Sequence, residues 1–130
     1  MANSQRTLIL LDGSFAVCKL PSDAAVPPWA TEGNFLSITR TPGELSVVCQ
    51  RSVIPEGIPR GPAWRCLGLA GQIEFSAVGV LAALVVPLAK EGMSVFAIST
   101  FDTDYLLLEE EDLGKGMDAL QRHGYDIQSQ

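Results

Sequence analysis

The fold is decided by one apolar stretch in the second half of the chain, residues 77–100, which reads AVGVLAALVVPLAKEGMSVFAIST. Ser76 suits a helix N-cap and Gly92 suits the position just after a helix, so we predict a helix over residues 77–91. The apolar residues that follow predict a strand over residues 93–100. The helix has a buried face because its apolar residues recur at i, i+3, i+4 and i+7: Leu81, Leu84, Val85 and Leu88.

The elements around this stretch complete the order β-α-β-β-α-β. This order is the ferredoxin-like pattern, in which two helices lie on one face of a four-stranded antiparallel sheet. The further predicted elements are a strand at 64–70, a turn at Asp102-Thr103, a strand at 105–109, a helix capped by Asp112 and ended by Gly124 with core positions Leu113, Met117 and Leu120, and a strand at 125–128.

The first half of the chain predicts strands without a proper second helix. Pro27 and Pro28 allow at most a turn or two of helix over residues 24–31, and Thr41-Pro42-Gly43-Glu44 has the chemistry of a hairpin turn. The predicted strands lie at residues 7–11, 15–20, 35–39 and 44–51.

A boundary between two units is predicted at residues 54–62, which contain three prolines and two glycines. Such a segment cannot continue a helix or a central strand. We therefore predict an α+β protein of two ferredoxin-like (βαββαβ) units with helices on one face of an antiparallel sheet. The first unit, residues 1–60, is a degenerate copy, and the second is residues 61–130.

Composition limits the partners and the location of this protein. The 130 residues are 47% hydrophobic and 18% charged, and their formal net charge is -6. An acidic surface repels phosphate backbones, so we expect no nucleic-acid partner. The longest apolar stretch is too short for a membrane span and no signal-peptide core is present, so we expect a cytoplasmic protein without membrane association. The widely spaced Cys18, Cys49 and Cys66 are expected to be reduced core thiols.

No standard catalytic motif is present in the sequence, and we expect neither catalytic residues nor a cofactor. The single histidine, His123, falls in the last turn of the second helix, where a cation suits the helix dipole. Asp102 and Asp104 lack the further oxygen ligands and the glycine of a calcium loop, so we expect no metal site. A hairpin turn explains Asp102, because aspartate accepts hydrogen bonds from its own backbone in turns.

The start of the first long helix could bind a small ligand. Free backbone amides at Ala77, Val78 and Gly79 would attract a carboxylate, and Asp104 could meet an ammonium group. The alternative reading of the same residues is an ordinary helix cap beside an ordinary hairpin.

Residues 77–100 resemble an ACT domain, with the family's Gly-x-Leu at Gly79–Leu81, a Leu-Ala pair at Leu88-Ala89, then Gly92 and a strand. The extension over residues 99–107 is similar to the tandem-ACT subgroup that includes the cytosolic arginine sensors called CASTOR and small bacterial proteins. The resemblance covers about residues 64–128. Residues 71–76 lack the Asp-x-Pro-Gly sequence of many amino-acid-binding ACT domains.

The resemblance implies a ligand pocket near the N-terminus of the first helix and the second strand of the domain. Asp104 matches the acid before the aromatic residue in the strand motif of the subgroup. The residues that the resemblance places in the pocket are Phe75, Ser76, Ala77 and Val78 from the loop, and Thr100, Phe101, Asp102 and Asp104 from the strand end.

The resemblance implies a stand-alone regulatory module that binds an amino acid or similar small polar ligand and relays this to a partner protein. The alternative is a non-catalytic dimerisation or interaction module with a vestigial pocket, and a small enzyme is a third reading. We also expect a homodimer, since Val78, Ala82, Val85 and Val86 extend the apolar surface of the first helix beyond one stripe.

Overall fold

The computed structural model describes residues 6–72 and 78–130. Short 3₁₀ turns lie at Pro28–Thr31, Arg51–Val53 and Glu110–Asp112. The regular elements of the described residues are β1 (Thr7–Leu10), β2 (Phe15–Leu20), β3 (Ser37–Thr41), β4 (Glu44–Gln50), β5 (Trp64–Leu69), α1 (Val80–Lys90), β6 (Val95–Ser99), β7 (Asp104–Glu109), α2 (Leu113–Arg122) and β8 (Asp126–Ser129).

The chain folds as two compact units. We call Gly13–Trp64 the central unit, and the described residues up to Asp12 together with Arg65–Gln130 the composite unit. The sequence prediction placed the first strand in the N-terminal unit. The structure instead places β1 in the composite unit, where it pairs antiparallel with β5 and parallel with β8.

The composite unit contains the predicted order β-α-β-β-α-β as β5-α1-β6-β7-α2-β8, with β1 as an additional strand. The order of strands across its sheet is β8-β1-β5-β7-β6. Because β1 and β8 are parallel, the sheet is not antiparallel throughout. Both helices contribute to one core with the sheet, whose buried residues are Leu8, Leu67, Leu69, Leu84, Leu88, Met93, Leu106, Leu108, Ala119, Leu120 and Tyr125.

Helix α1 confirms the predicted apolar face but begins later than predicted. Leu84 and Leu88 are fully buried, and Leu81 and Val85 pack against the same core. The N-cap is Gly79 in a left-handed conformation with φ of 79°, which glycine adopts without steric cost. The proposed cap Ser76 lies outside the described residues.

The glycines that end the two helices are confirmed. Gly92 has φ of 77° and Gly124 has φ of 91°. After α1, the amide of Gly92 donates to Ala89 O at 3.0 Å and that of Met93 to Leu88 O at 3.2 Å. This pair of bonds is the Schellman motif, and it satisfies carbonyls that the helix leaves free.

Helix α2 packs closely on β7. Of its predicted core positions, Leu120 is fully buried, whereas Leu113 and Met117 are half-buried. Gly116 is buried as well, and a Cβ atom there would lie 2.5 Å from Leu108 Cδ1. Asp112 precedes the helix without a side-chain capping bond.

The central unit is described throughout and contains no α-helix. Its strands lie in the order β3-β4-β2, and both pairs are antiparallel. The predicted hairpin turn is confirmed: Thr41 lies opposite Glu44, and Thr41 Oγ1 accepts hydrogen bonds from the amides of Gly43 and Glu44, both at 3.2 Å. The proline-rich segment is irregular but fixed, since Ile54 is buried and its carbonyl accepts a bond from Arg60 Nη2 at 2.8 Å.

Candidate ligand site

The predicted site has two parts in the composite unit, the β5–α1 loop and the β6–β7 turn. In the loop, Phe75, Ser76 and Ala77 lie outside the described residues. Val78 is described, and its side chain is 95% exposed. Because α1 begins at Val80 with Gly79 as its N-cap, the amides that its hydrogen bonds leave free are those of residues 79–82, which lie later than predicted.

We predicted that Asp102 closes the β6–β7 turn, and this prediction is wrong, because Thr100 and Thr103 close it instead. The Thr100 amide donates to Thr103 O at 2.8 Å. Thr100 Oγ1 also donates to Thr103 O and accepts from the Thr103 amide, both at 3.1 Å. Phe101 is 79% exposed at the tip. The turn therefore presents an aromatic ring to solvent on a fixed backbone.

Two hydrogen bonds tie this turn to the end of β5. Gln72 Nε2 donates to Asp102 Oδ1 at 2.9 Å, and Thr103 Oγ1 donates to Leu69 O at 2.8 Å. The structure thus brings the start of the β5–α1 loop next to the turn, as the site requires. Gln72 was not identified from the sequence, because no local pattern indicates a partner thirty residues away.

Asp104 lies at the first position of β7, opposite Ser99 of β6. Ser99 Oγ donates to Asp104 Oδ1 at 2.6 Å. A carboxylate has two oxygens and several lone pairs, so Asp104 can accept further hydrogen bonds while it keeps this one. It is half-buried, which leaves it accessible to a ligand.

A cleft of about 130 Å³ lies at the start of α1. One wall is Arg6, whose Nη1 donates to His123 O at 3.0 Å and whose guanidinium lies 5.4 Å from the ring centre of Tyr125. Burial raises the pKa of Tyr125, and the charge of Arg6 partly opposes this. Sequence reasoning missed Arg6 because β1 was assigned elsewhere. The lining residues are Arg6, Val78, Gly79, Val80, Ala83 and Tyr125.

The single histidine bonds to the backbone of α2, and the three cysteines are buried. His123 is the residue that follows α2, and its Nδ1 lies 2.9 Å from Ala119 O. All three cysteines are buried free thiols, as predicted. Burial raises the pKa of Cys49 to about 11 and that of Cys66 to about 12. These two thiols therefore stay protonated and unreactive at neutral pH.

Two other features are absent from the described residues. No group of three or more His, Cys, Asp or Glu side chains there could hold a metal ion. Nor does any helix in that part of the chain have the length and apolar sequence to cross a membrane.

Two family models match the chain. The model of the ACT domain matches residues 60–122, and a model of an N-terminal domain matches residues 13–57. The second match lies inside the central unit. The ACT match covers the elements from β5 to α2 but excludes β1 and β8.

The curated relatives are larger proteins. The "Cytosolic arginine sensor for mTORC1 subunit 1" of Mus musculus is 30% identical over 122 residues, which are 87% of this chain and 37% of the mouse protein. The Homo sapiens protein of the same name is 29% identical over the same shares. This chain thus spans little more than a third of the length of these relatives.

Solved structures share the fold of nearly the whole chain. Protein Atu0741 from Agrobacterium tumefaciens is 37% identical, with a TM-score of 0.90 over 95% of this chain and 92% of that one. Protein VC0802 from Vibrio cholerae is 20% identical with a TM-score of 0.74 over 90% and 91%. Aspartate kinase from Clostridium acetobutylicum, at 10% identity, has a TM-score of 0.61 over 87% of this chain and 33% of its own, and shows likeness of fold alone.

Proposed function

We propose that this chain, whose residues 60–122 match the ACT domain family, is a regulatory module that binds an amino acid or a similar small polar ligand, and that it is not an enzyme. One observation carries the proposal: the two segments expected to hold the ligand are joined by the Gln72–Asp102 hydrogen bond. The curated relatives are named as cytosolic sensors of arginine, which supports a sensing role and a cytoplasmic location.

The chemistry of the two segments suits the two poles of an amino acid. The first-turn amides of α1 and its positive dipole end favour the ligand carboxylate. Asp102 and Asp104 at the opposite segment favour its ammonium group, or the guanidinium of an arginine side chain. Phe101, with its ring exposed, would cover the apolar part of the ligand. We propose Phe75, Ser76, Ala77, Val78 and Thr100 as further contacts.

A relay to a partner protein completes the proposed role. Ligand binding would add contacts between the start of α1 and the β6–β7 turn, and a partner protein would recognise the bound form. The chain spans only part of its curated relatives, so the identity of such a partner is a separate question.

A thermal-shift screen of the proteinogenic amino acids against the full chain tests the proposal. A selective ligand stabilises the native state by about 2.7 kcal/mol when its concentration is a hundred times its Kd. Asp102→Asn should reduce this shift, and the exposed Asp23→Asn, in the central unit, should not. If no amino acid raises the melting temperature, the chain is instead an interaction module with a vestigial pocket.

The homodimer remains a prediction with a test of its own. Of the apolar residues behind it, Val85 packs against the core, whereas Val78 and Val86 are exposed. Sedimentation equilibrium at tens of micromolar should give the mass of a dimer, and a monomer would contradict the prediction.

A further inference from the structure

A second surface of the composite unit lies along the solvent side of α1. An open groove of about 490 Å³ runs beside the helix, and we call it the α1 groove. The helix residues that line it stand at i, i+1, i+4, i+5 and i+8, so it is about 12 Å long at 1.5 Å per residue. Its lining residues are Ala82, Ala83, Val86, Pro87 and Lys90 from α1, with Arg6, His123 and Tyr125.

The floor of the α1 groove is apolar and accessible. Val86 is 47% exposed in its middle. At one end the groove shares Arg6, Ala83 and Tyr125 with the cleft at the start of α1. That cleft adds Val78, which is 95% exposed. Exposed apolar side chains that form one continuous strip mark interaction surfaces more often than scattered ones do.

The charged residues that line the α1 groove are all basic. The chain has 15 acidic residues and only 9 lysines and arginines. Nevertheless, the α1 groove is lined by two of those basic residues and by the single histidine, and by no acidic residue. Lys90 has no carboxylate partner among the residues that the structure describes. An acidic protein thus presents a basic rim around its exposed apolar strip.

We propose that the α1 groove binds an amphipathic helix of a partner protein that carries acidic residues beside its apolar face. A groove of about 12 Å accommodates roughly two turns of helix, and apolar anchors at i, i+3 or i+4 and i+7 are the usual contacts of a helix in a groove. Acidic flanks would meet Arg6 and Lys90. This inference does not rest on the proposed amino-acid site, although the strip includes Val78, which is also a proposed ligand contact.

A second copy of the chain fits this groove less well than an acidic partner does. Any two-fold pairing of groove on groove places a basic rim opposite an identical basic rim, and like charges at an interface are unfavourable. This repulsion favours an acidic partner over a second copy of the chain in the α1 groove.

The test uses two synthetic 15-residue helical peptides that share one leucine stripe, the first with glutamates on its flanks and the second with lysines. Each is titrated into the ¹⁵N-labelled full chain while backbone amide shifts are recorded. The acidic peptide should bind with a Kd below about 1 mM and shift amides along α1 and at His123. Added salt should weaken this binding.

Variants locate the contact. Val86→Glu should weaken binding of the acidic peptide at least about tenfold. Lys90→Glu should also weaken binding of the acidic peptide and should strengthen binding of the basic one. Val26→Glu is the matched control, since Val26 is 41% exposed in the central unit, and it should leave binding unchanged. The proposal is overturned if neither peptide binds, if both bind equally, if the shifts lie outside the groove, or if Val86→Glu dissociates a dimer of the chain.

Discussion

Replacing Asp104 by alanine separates ligand binding from local stability at the β6–β7 turn. The substitution removes the carboxylate proposed to meet the cationic group of the ligand, and it removes the hydrogen bond from Ser99 Oγ at 2.6 Å. The lost charge-assisted bond to the ligand corresponds to about 1.5–3 kcal/mol. We therefore expect the affinity to fall roughly ten- to a hundredfold, since about 1.4 kcal/mol is a factor of ten.

Ser99→Ala is the matched control, because it removes the same cross-strand bond but keeps the carboxylate. The bond is exposed, so each variant should lose no more than about 1 kcal/mol of unfolding free energy. Calorimetric titration with the amino acid that gives the largest thermal shift measures affinity on folded protein, and urea unfolding measures stability. If Asp104→Ala and Ser99→Ala bind equally well, Asp104 only stabilises the hairpin and its assignment to the ligand site is wrong.

Two further predictions test the core. Gly116→Ala should lower the unfolding free energy by about 1–3 kcal/mol, because its Cβ atom overpacks against Leu108. Gly114→Ala has nothing within 4 Å of its new Cβ atom and should raise the unfolding free energy by up to about 1 kcal/mol. Urea unfolding that ranks the two variants in the opposite order would contradict the packing of α2. The pKa of Cys49 and that of Cys66 in the folded protein lie above the ordinary value of 9.0. The contribution of these thiols to the unfolding free energy is therefore fully present below pH 9 and is lost as the pH rises toward 11. The loss is about 1.4 kcal/mol per pH unit for each thiol that ionises only in the unfolded chain. The double alanine variant should show a flatter pH dependence in the same assay, and an unchanged slope would refute this origin.

Local patterns in the sequence were sufficient for the helices of the composite unit. The helical spacing that ends at Leu88 fixes which face of α1 is buried, and glycines at 92 and 124 stop the helices by adopting positive φ. These features depend on residues within one or two turns of each other. The predicted start of α1 was wrong because Ser76 is a favourable N-cap by residue type, whereas the N-cap of the helix is Gly79, which has a left-handed backbone conformation.

The site could be predicted only in part for a similar reason. The loop and the turn follow from the order of elements, so their adjacency was predictable. The hydrogen-bond partners were not, because Gln72 and Asp102 are thirty residues apart and neither occurs in a local motif. The role of Arg6 was also not predicted, because its hydrogen-bond partner, the carbonyl of His123, is 117 residues away in the sequence.

The position of β1 changes what counts as the folding unit of the ACT domain. The family match begins at residue 60, yet Leu8 is fully buried in the core of the composite unit, a burial that corresponds to about 1.5–3 kcal/mol for one side chain. β1 also lies between β5 and β8, so a fragment of residues 61–130 would leave β8 without its paired strand and β5 with β7 as its remaining neighbour. The central unit is therefore an insertion between β1 and the rest of its sheet, and the two units are joined by two chain connections rather than by one linker.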